Sequence, residues 1–97
     1  MRKLGKKERH AVLQERIKEF IYFYFQEELS KATIFDYPGL LQEVLREFYA
    51  WKEAFSTQEL YENGGMERGW QMLYEEGENA ESLISDVLYE ILSSPKS

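Results

Sequence analysis

The strongest constraint in this sequence is the run FIYFYF at residues 20–25, in which five of six side chains are aromatic. On a helix, six consecutive residues sweep about 600° of rotation, so the run cannot keep all its rings on one side. A small domain buries one side of a helix easily and two sides with difficulty. We therefore expect either the rest of the chain or a second chain to cover the other side.

A strand is the competing interpretation, because Phe, Tyr and Ile favour pleated surfaces. The flanking residues argue against it. Residues 14–16 (QER) and 26–29 (QEEL) are good helix formers, and no turn residues lie between them. The run is therefore predicted to be helical.

Composition limits what the chain can be. Its 97 residues suit one domain and one core. The absence of cysteine excludes disulfides, thiolate metal sites and a thiol nucleophile. The longest apolar run has six residues, far below the ~20 of a membrane-spanning helix, and the basic start is not followed by an apolar segment typical of a signal peptide. We expect a cytoplasmic protein.

Charge is unevenly distributed along the chain. Residues 1–18 carry seven Lys/Arg against two Glu, whereas residues 19–97 carry five against sixteen Asp/Glu, and the net charge is −6. A basic arm on an acidic body has three interpretations: a solvated tail that docks on its own body, an arm that contacts nucleic acid, or a contact with an acidic partner or a second subunit.

The pattern of apolar residues predicts an all-α fold, a small bundle of about five helices, with a dimer interface as one way to complete it. We expect one long N-terminal helix, one medium helix and three short ones. Residues 1–6 are predicted to be a flexible basic arm, 7–93 a single helical domain and 94–97 a tail. The predicted helices cover residues 7–30, 37–55, 57–62, 66–76 and 80–93.

In the first helix one apolar stripe repeats at helical spacing, and Tyr22 and Phe23 lie off it, with Val12 beneath Phe23 on the same side. For Tyr22, Phe23 and Phe25, burial within the chain by the later helices and an intermolecular interface are equally compatible with the sequence. The stripe expected in the core consists of Leu13, Ile17, Phe20, Ile21 and Tyr24.

The start of the second helix has local signals. Asp36 is a candidate N-cap, Pro38 suits the first turn, and Phe35 with Leu40 predicts a hydrophobic staple. Lys52 falls beside the apolar stripe, so its stem is expected to lie along that surface. The predicted apolar face consists of Leu41, Val44, Leu45, Phe48, Trp51 and Phe55.

The later helices are delimited by caps and glycines. Residues 56–59 (STQE) form a capping-box sequence, and residues 63–65 (NGG) end the helix that follows it. Gly77 is expected to stop the fourth helix, and Asn79 to cap the fifth. The fifth helix is expected to bury Leu83, Ile84, Val87, Leu88 and Ile91.

Residues 56–73 weakly match a helix-turn-helix motif, with Leu60, Gly64, Trp70 and Leu73 at its packing positions. The would-be recognition helix carries Glu67, Glu75 and Glu76 against one arginine, and phosphate repels such a surface. An ordinary helical hairpin is the favoured interpretation.

No motif indicates catalysis. His10 is the single histidine and has no partners at catalytic or ligand spacing, so we expect it to be exposed. The carboxylates lack the spacing of a calcium loop, and neither a phosphate loop nor a nucleophile elbow occurs. We therefore predict no enzyme activity, cofactor, metal or small-molecule substrate.

The sequence favours a non-catalytic interaction or regulatory protein, with itself as a homodimer or another protein as partner, through Tyr22, Phe23 and Phe25. A small nucleic-acid-binding regulator is the alternative, and an acidic body that imitates nucleic acid is a third hypothesis. The residues of the alternative are Arg2, Lys3, Lys6, Lys7 and Arg9, together with segment 56–73.

Overall fold

A computed structural model of the chain describes residues 5–54 and 68–94, and within them every regular element is a helix or a 3₁₀ turn. The predicted all-α class is thus confirmed for this part of the chain. The predicted helix at residues 57–62 and its capping box lie outside the described residues. The helices are α1 (Lys6–Lys31), α2 (Tyr37–Glu53), α3 (Arg68–Glu76) and α4 (Ala80–Ser93), with 3₁₀ turns at Ile34–Asp36 and Gly77–Asn79.

Helix α1 buries four of the five residues of the predicted stripe, Leu13, Ile17, Phe20 and Ile21, but its burial continues along a row spaced by four and not to Tyr24. Four residues advance the helix by about 40° beyond a full turn, so such a row winds around the helix. The buried face therefore rotates as α1 crosses its neighbours α3 and α4. The buried row is Leu13, Ile17, Ile21, Phe25 and Leu29, with Phe20 beside it.

This rotation corrects two predictions. Tyr24, expected in the core, remains 41% exposed, whereas Phe25, a candidate interface residue, is 8% exposed and packs in the core. Phe25 also marks a kink, with φ −127° and ψ 27° inside an otherwise helical segment. Residues 20–30 contain neither proline nor glycine, so local sequence does not account for the kink.

The entry to α2 differs from its predicted capping. Asp36 occupies the cap position but makes no side-chain cap bond to α2. Its carboxylate instead accepts a hydrogen bond from the Thr33 backbone N–H at 2.8 Å, and the Thr33 hydroxyl oxygen accepts one from the Phe35 N–H at 3.3 Å. The capping box thus belongs to the 3₁₀ turn. Pro38 lies in the first turn of α2, as predicted.

The predicted staple at this entry is wrong. Phe35 is 89% exposed, although Leu40 is buried in the core. The 3₁₀ turn between α1 and α2 accounts for the difference, because a staple requires a direct entry into the helix.

The core lies where α1, α3 and α4 meet, and α2 covers it by packing on α4. Phe48 of α2 is fully buried, and its ring lies 6.3 Å from that of Phe20 and 5.9 Å from that of Trp51. Other predicted core residues of α2 and α4 are only half-buried at the margin of the core. They are Leu41, Leu45, Trp51, Leu83 and Ile91.

Helix α4 begins at Ala80 and ends at Ser93, the predicted bounds. Asn79 holds the cap position without a side-chain cap bond, so its predicted capping hydrogen bond is absent. Gly77 has φ +55°, a left-handed conformation that suits glycine after α3. The buried side of α4 consists of Ala80, Ile84, Val87, Leu88 and Leu92.

Candidate functional site

Three rings of the aromatic run are exposed on α1, and two of them, those of Tyr22 and Phe23, line one depression. Tyr22 is 45% exposed and Phe23 is 77% exposed. With Lys18, Glu19 and Gln26 they line a shallow, mainly apolar depression, and we call these five residues the α1 aromatic face. Phe25, the third residue that the sequence grouped with them, lies in the core instead.

The α1 aromatic face continues toward α4. Lys18 and Tyr22 also border a groove between the two helices, where Val87 and Ile91 contribute apolar atoms. The remaining residues around this groove are polar or charged, so the groove is more polar than the depression beside Phe23. These remaining residues are Gln14, Glu15, Glu90 and Ser94.

Aromatic contacts tie the exposed face to the core. The ring of Phe23 lies edge-on to Tyr24 at 4.9 Å between centroids, and Tyr24 lies 4.7 Å from Phe20. Phe20 in turn contacts Phe48 at 6.3 Å and Trp51 at 6.0 Å. Tilted and edge-to-face pairs at such distances are favourable. Phe23 therefore stands at the outer end of a continuous series of rings and is itself 77% exposed.

The basic residues proposed for nucleic acid are distributed differently. Arg2 and Lys3 lie outside the described residues, and Lys6 and Lys7 are exposed in the first turn of α1. Arg9 donates a hydrogen bond to the carboxylate of Glu76 at the end of α3. This ion pair agrees with the interpretation in which the basic segment docks on the acidic body. Nucleic-acid binding stays a prediction.

The helix-turn-helix hypothesis concerns residues mostly outside those described. Of its second helix, α3 shows Gly69, Met72 and Leu73 buried. Trp70 is half-buried, 6.0 Å from Trp51 between ring centroids, with the Arg16 guanidinium 6.0 Å from its ring. These contacts seat α3 against α1 and α2. Recognition of DNA by segment 56–73 stays a prediction.

Two observations bear on metals and membranes. His10 is exposed, as the sequence predicts. Within residues 5–54 and 68–94, no three His, Cys, Asp or Glu side chains converge as metal ligands would. In the same residues, none of the helices has the length and apolarity to cross a bilayer.

Sequence reasoning missed two tyrosines that join α2 to α4. Tyr49 donates a hydrogen bond to the Glu81 carboxylate, and this bond, together with partial burial and the charges of Glu81 and Glu78, raises the pKa of Tyr49 to about 12. The hydroxyl of Tyr37 pairs with that of Ser85. Polar residues at the edge of each apolar stripe are the only signal for such contacts, and it does not specify partners.

Phe35 is another exposed aromatic residue, although the sequence predicted that it packs against Leu40 as a hydrophobic staple. It lies beside a shallow depression that includes Glu28, Lys31, Ala32 and Leu40. Phe35 is a single ring, whereas the α1 aromatic face presents two adjacent rings. This difference makes Phe35 a useful control.

No protein-family model, curated protein or solved structure matches this chain.

Proposed function

We propose that this protein is a non-catalytic interaction or regulatory protein that acts through the α1 aromatic face, by self-association or by binding another protein. The observation that carries the proposal is the adjacent exposure of Tyr22 and Phe23 on a helix whose opposite side is buried. Aromatic residues are enriched at interface centres, and scattered single exposed hydrophobics are ordinary.

The energetics favour covering this face. Fully burying an exposed Phe side chain contributes roughly 1.5–3 kcal/mol, and Tyr22, which is 45% exposed, has less surface left to bury. Tyrosine suits the position because its ring can be buried while its hydroxyl reaches water or a partner.

The proposal retains the finer architecture that the sequence predicts. A bundle of about five helices, with the third in the region of residues 57–62, presents the α1 aromatic face to a partner. In the self-association form, a second copy completes the apolar enclosure of residues 20–25 as a homodimer.

The test compares two surface variants. Wild type is measured by sedimentation equilibrium and by co-purification, alongside the double variant Tyr22→Ser/Phe23→Ser. Association, with itself or with a captured partner, is expected to be lost in the double variant. Phe35→Ser is the matched control, because it removes an even more exposed ring from a different surface.

Three readouts distinguish the outcomes. Unfolding midpoints of the variants must match that of wild type, so that lost binding is not lost folding. A wild-type protein that is monomeric at high micromolar concentration and captures nothing contradicts the proposal. Equal loss of association in Phe35→Ser places the interface elsewhere.

A further inference from the structure

The charges along α1 divide into two halves of opposite sign. Residues 6–18 carry five Lys/Arg and two Glu, whereas residues 19–31 carry three Glu and one Lys. Within the chain Arg9 pairs with Glu76, and Arg16 pairs with Glu19 at 3.3 Å across the boundary of the two halves. The amino-terminal half stays net positive even without Arg9, and the carboxy-terminal half is net negative.

The α1 aromatic face straddles the boundary between these halves. Glu19 lies three residues before Tyr22, and Gln26 lies three residues after Phe23. Although α1 kinks at Phe25, all four side chains line the same depression, with Glu19 and Gln26 at either end of the aromatic pair. The face is therefore nearly symmetric about a point between Tyr22 and Phe23.

We propose that the occupant of this face is a second copy of the chain, with its α1 antiparallel to the first and a two-fold axis that passes between Tyr22 and Phe23. This inference rests on the proposed function and specifies its partner. An isologous contact brings the same patch of both copies together, so the aromatic pairs meet at the axis. Each Glu19 then faces the partner's Gln26.

Charge complementarity selects the antiparallel orientation. An antiparallel pair about this axis overlaps residues 14–31 of the two copies, because positions whose numbers sum to 45 face each other. It places Lys18 of each copy beside Glu27 of the other, whereas parallel pairing sets like charges against each other at both positions. In a parallel pair each Glu19 would also face Glu19 of the second copy. Opposite potentials across an interface fix its orientation.

The first experiment uses the sign of one charge. Gln26→Lys places a cation opposite the partner's Glu19 twice per dimer, so the dimer Kd is expected to fall about threefold to tenfold. Gln26→Glu is the matched variant and is expected to raise the Kd by a similar factor. Gln, Lys and Glu have similar helix propensities, so folding is unaffected. Sedimentation equilibrium measures all three proteins.

Parallel pairing predicts a different pattern. In a parallel pair, position 26 of one copy meets position 26 of the other. The introduced charges of the two copies then repel each other in both variants, so both variants raise the Kd. That result, or an unchanged Kd in both, overturns the antiparallel arrangement.

The second experiment uses the absence of native cysteine. Glu19→Cys and Gln26→Cys proteins are oxidised separately and as an equimolar mixture. Positions 19 and 26 are about 10 Å apart along a helix, and a disulfide needs its two Cα atoms within about 7 Å. Antiparallel pairing therefore predicts that the mixed 19–26 disulfide forms several-fold more than either symmetric one. A predominance of 19–19 and 26–26 disulfides overturns it.

These results separate the inference from the proposed function. A dimer that fails both orientation tests but dissociates in Tyr22→Ser/Phe23→Ser overturns the antiparallel arrangement and leaves the function standing. A wild-type monomer overturns the second-copy inference. In that case, capture of another protein that is lost only in the aromatic double variant preserves the function.

Discussion

The hydroxyl of Tyr49 on α2 donates a hydrogen bond to the carboxylate of Glu81 on α4. The bond links two helices through residues that are 32 positions apart in the sequence. The phenol is only partly buried, at the margin of the core. The hydrogen bond to Glu81 is the main cause of the raised pKa of Tyr49, from 10.0 to about 12, because the bond requires the phenol to keep its proton.

The raised pKa predicts how this contact depends on pH. A group whose pKa is higher in the folded state contributes its full stability below its unfolded pKa, here 10.0, and loses it as the pH rises toward about 12. Tyr49→Phe is expected to lower the free energy of unfolding by about 0.5–1 kcal/mol at pH 7. The gap between wild type and variant should close between pH 10 and 12.

Urea unfolding across this pH range measures the gap. Tyr89→Phe is the control, since Tyr89 is an exposed tyrosine in ring contact with Tyr37. Its removal should change the free energy of unfolding by less than about 0.5 kcal/mol. A Tyr49→Phe deficit that persists undiminished at high pH would contradict the role of the phenolic proton.

Gly77 and Gly39 are expected to respond to alanine with opposite signs. Gly77 has φ +55°, where an L-residue costs roughly 1–2 kcal/mol, and an added Cβ would lie 3.1 Å from the Lys52 Nζ. That ammonium lies 5.1 Å from the Tyr74 ring centroid, so displacing it also disturbs a cation–π contact. Gly77→Ala should destabilise the fold by about 1–2 kcal/mol.

Gly39 lies within α2, and nothing lies within 4 Å of a Cβ placed there. Gly39→Ala should therefore stabilise the fold by about 0.5–1 kcal/mol, because alanine loses less backbone entropy in a helix. Thermal melts of the two variants provide the measurement. Destabilisation of both by similar amounts would mean that Gly39 is not in open helical backbone.

Helix bounds were the most predictable part of the fold. The helix from Ala80 to Ser93 was predicted to the residue, because Gly77, Asn79 and Pro95 mark its limits locally. The capping contacts were less predictable. Asp36 serves the 3₁₀ turn before α2, since a carboxylate near two possible turns has partners that only the backbone path decides.

The exchange of Tyr24 for Phe25 shows why the core could be predicted only in part. Both residues follow Phe20 and Ile21 at helical spacing, and the pattern alone favours the narrower stripe that ends at Tyr24. Which row is buried depends on the angle at which α1 crosses α3 and α4, a property of distant residues. The off-stripe position of Tyr22 and Phe23 was visible from spacing, and both side chains are exposed.

The ion pair between Arg9 and Glu76 is expected to contribute modestly. Its side chains are 42% and 22% exposed, so solvent screens the attraction. Arg9→Glu should lower the free energy of unfolding by about 1 kcal/mol or less, and the exchanged pair Arg9→Glu/Glu76→Arg should recover most of that loss. A double-mutant cycle in low and high salt checks both statements. An exchanged pair no more stable than the single variants would show that the two side chains do not interact in solution.

Phe25 and Phe23 are two residues apart in the same run, yet substitution by alanine should affect folding stability at Phe25 and association at Phe23. Phe25→Ala removes a ring buried in the core and should cost about 3–5 kcal/mol of folding stability. Phe23→Ala removes a ring that is mostly in solvent and should leave the monomer's free energy of unfolding within about 0.5 kcal/mol, while it weakens association. Urea unfolding at low protein concentration isolates the folding term, because association adds concentration-dependent stability. If Phe23→Ala destabilised the dilute protein as much as Phe25→Ala, its ring would be a structural element, and the α1 aromatic face would not be a free surface.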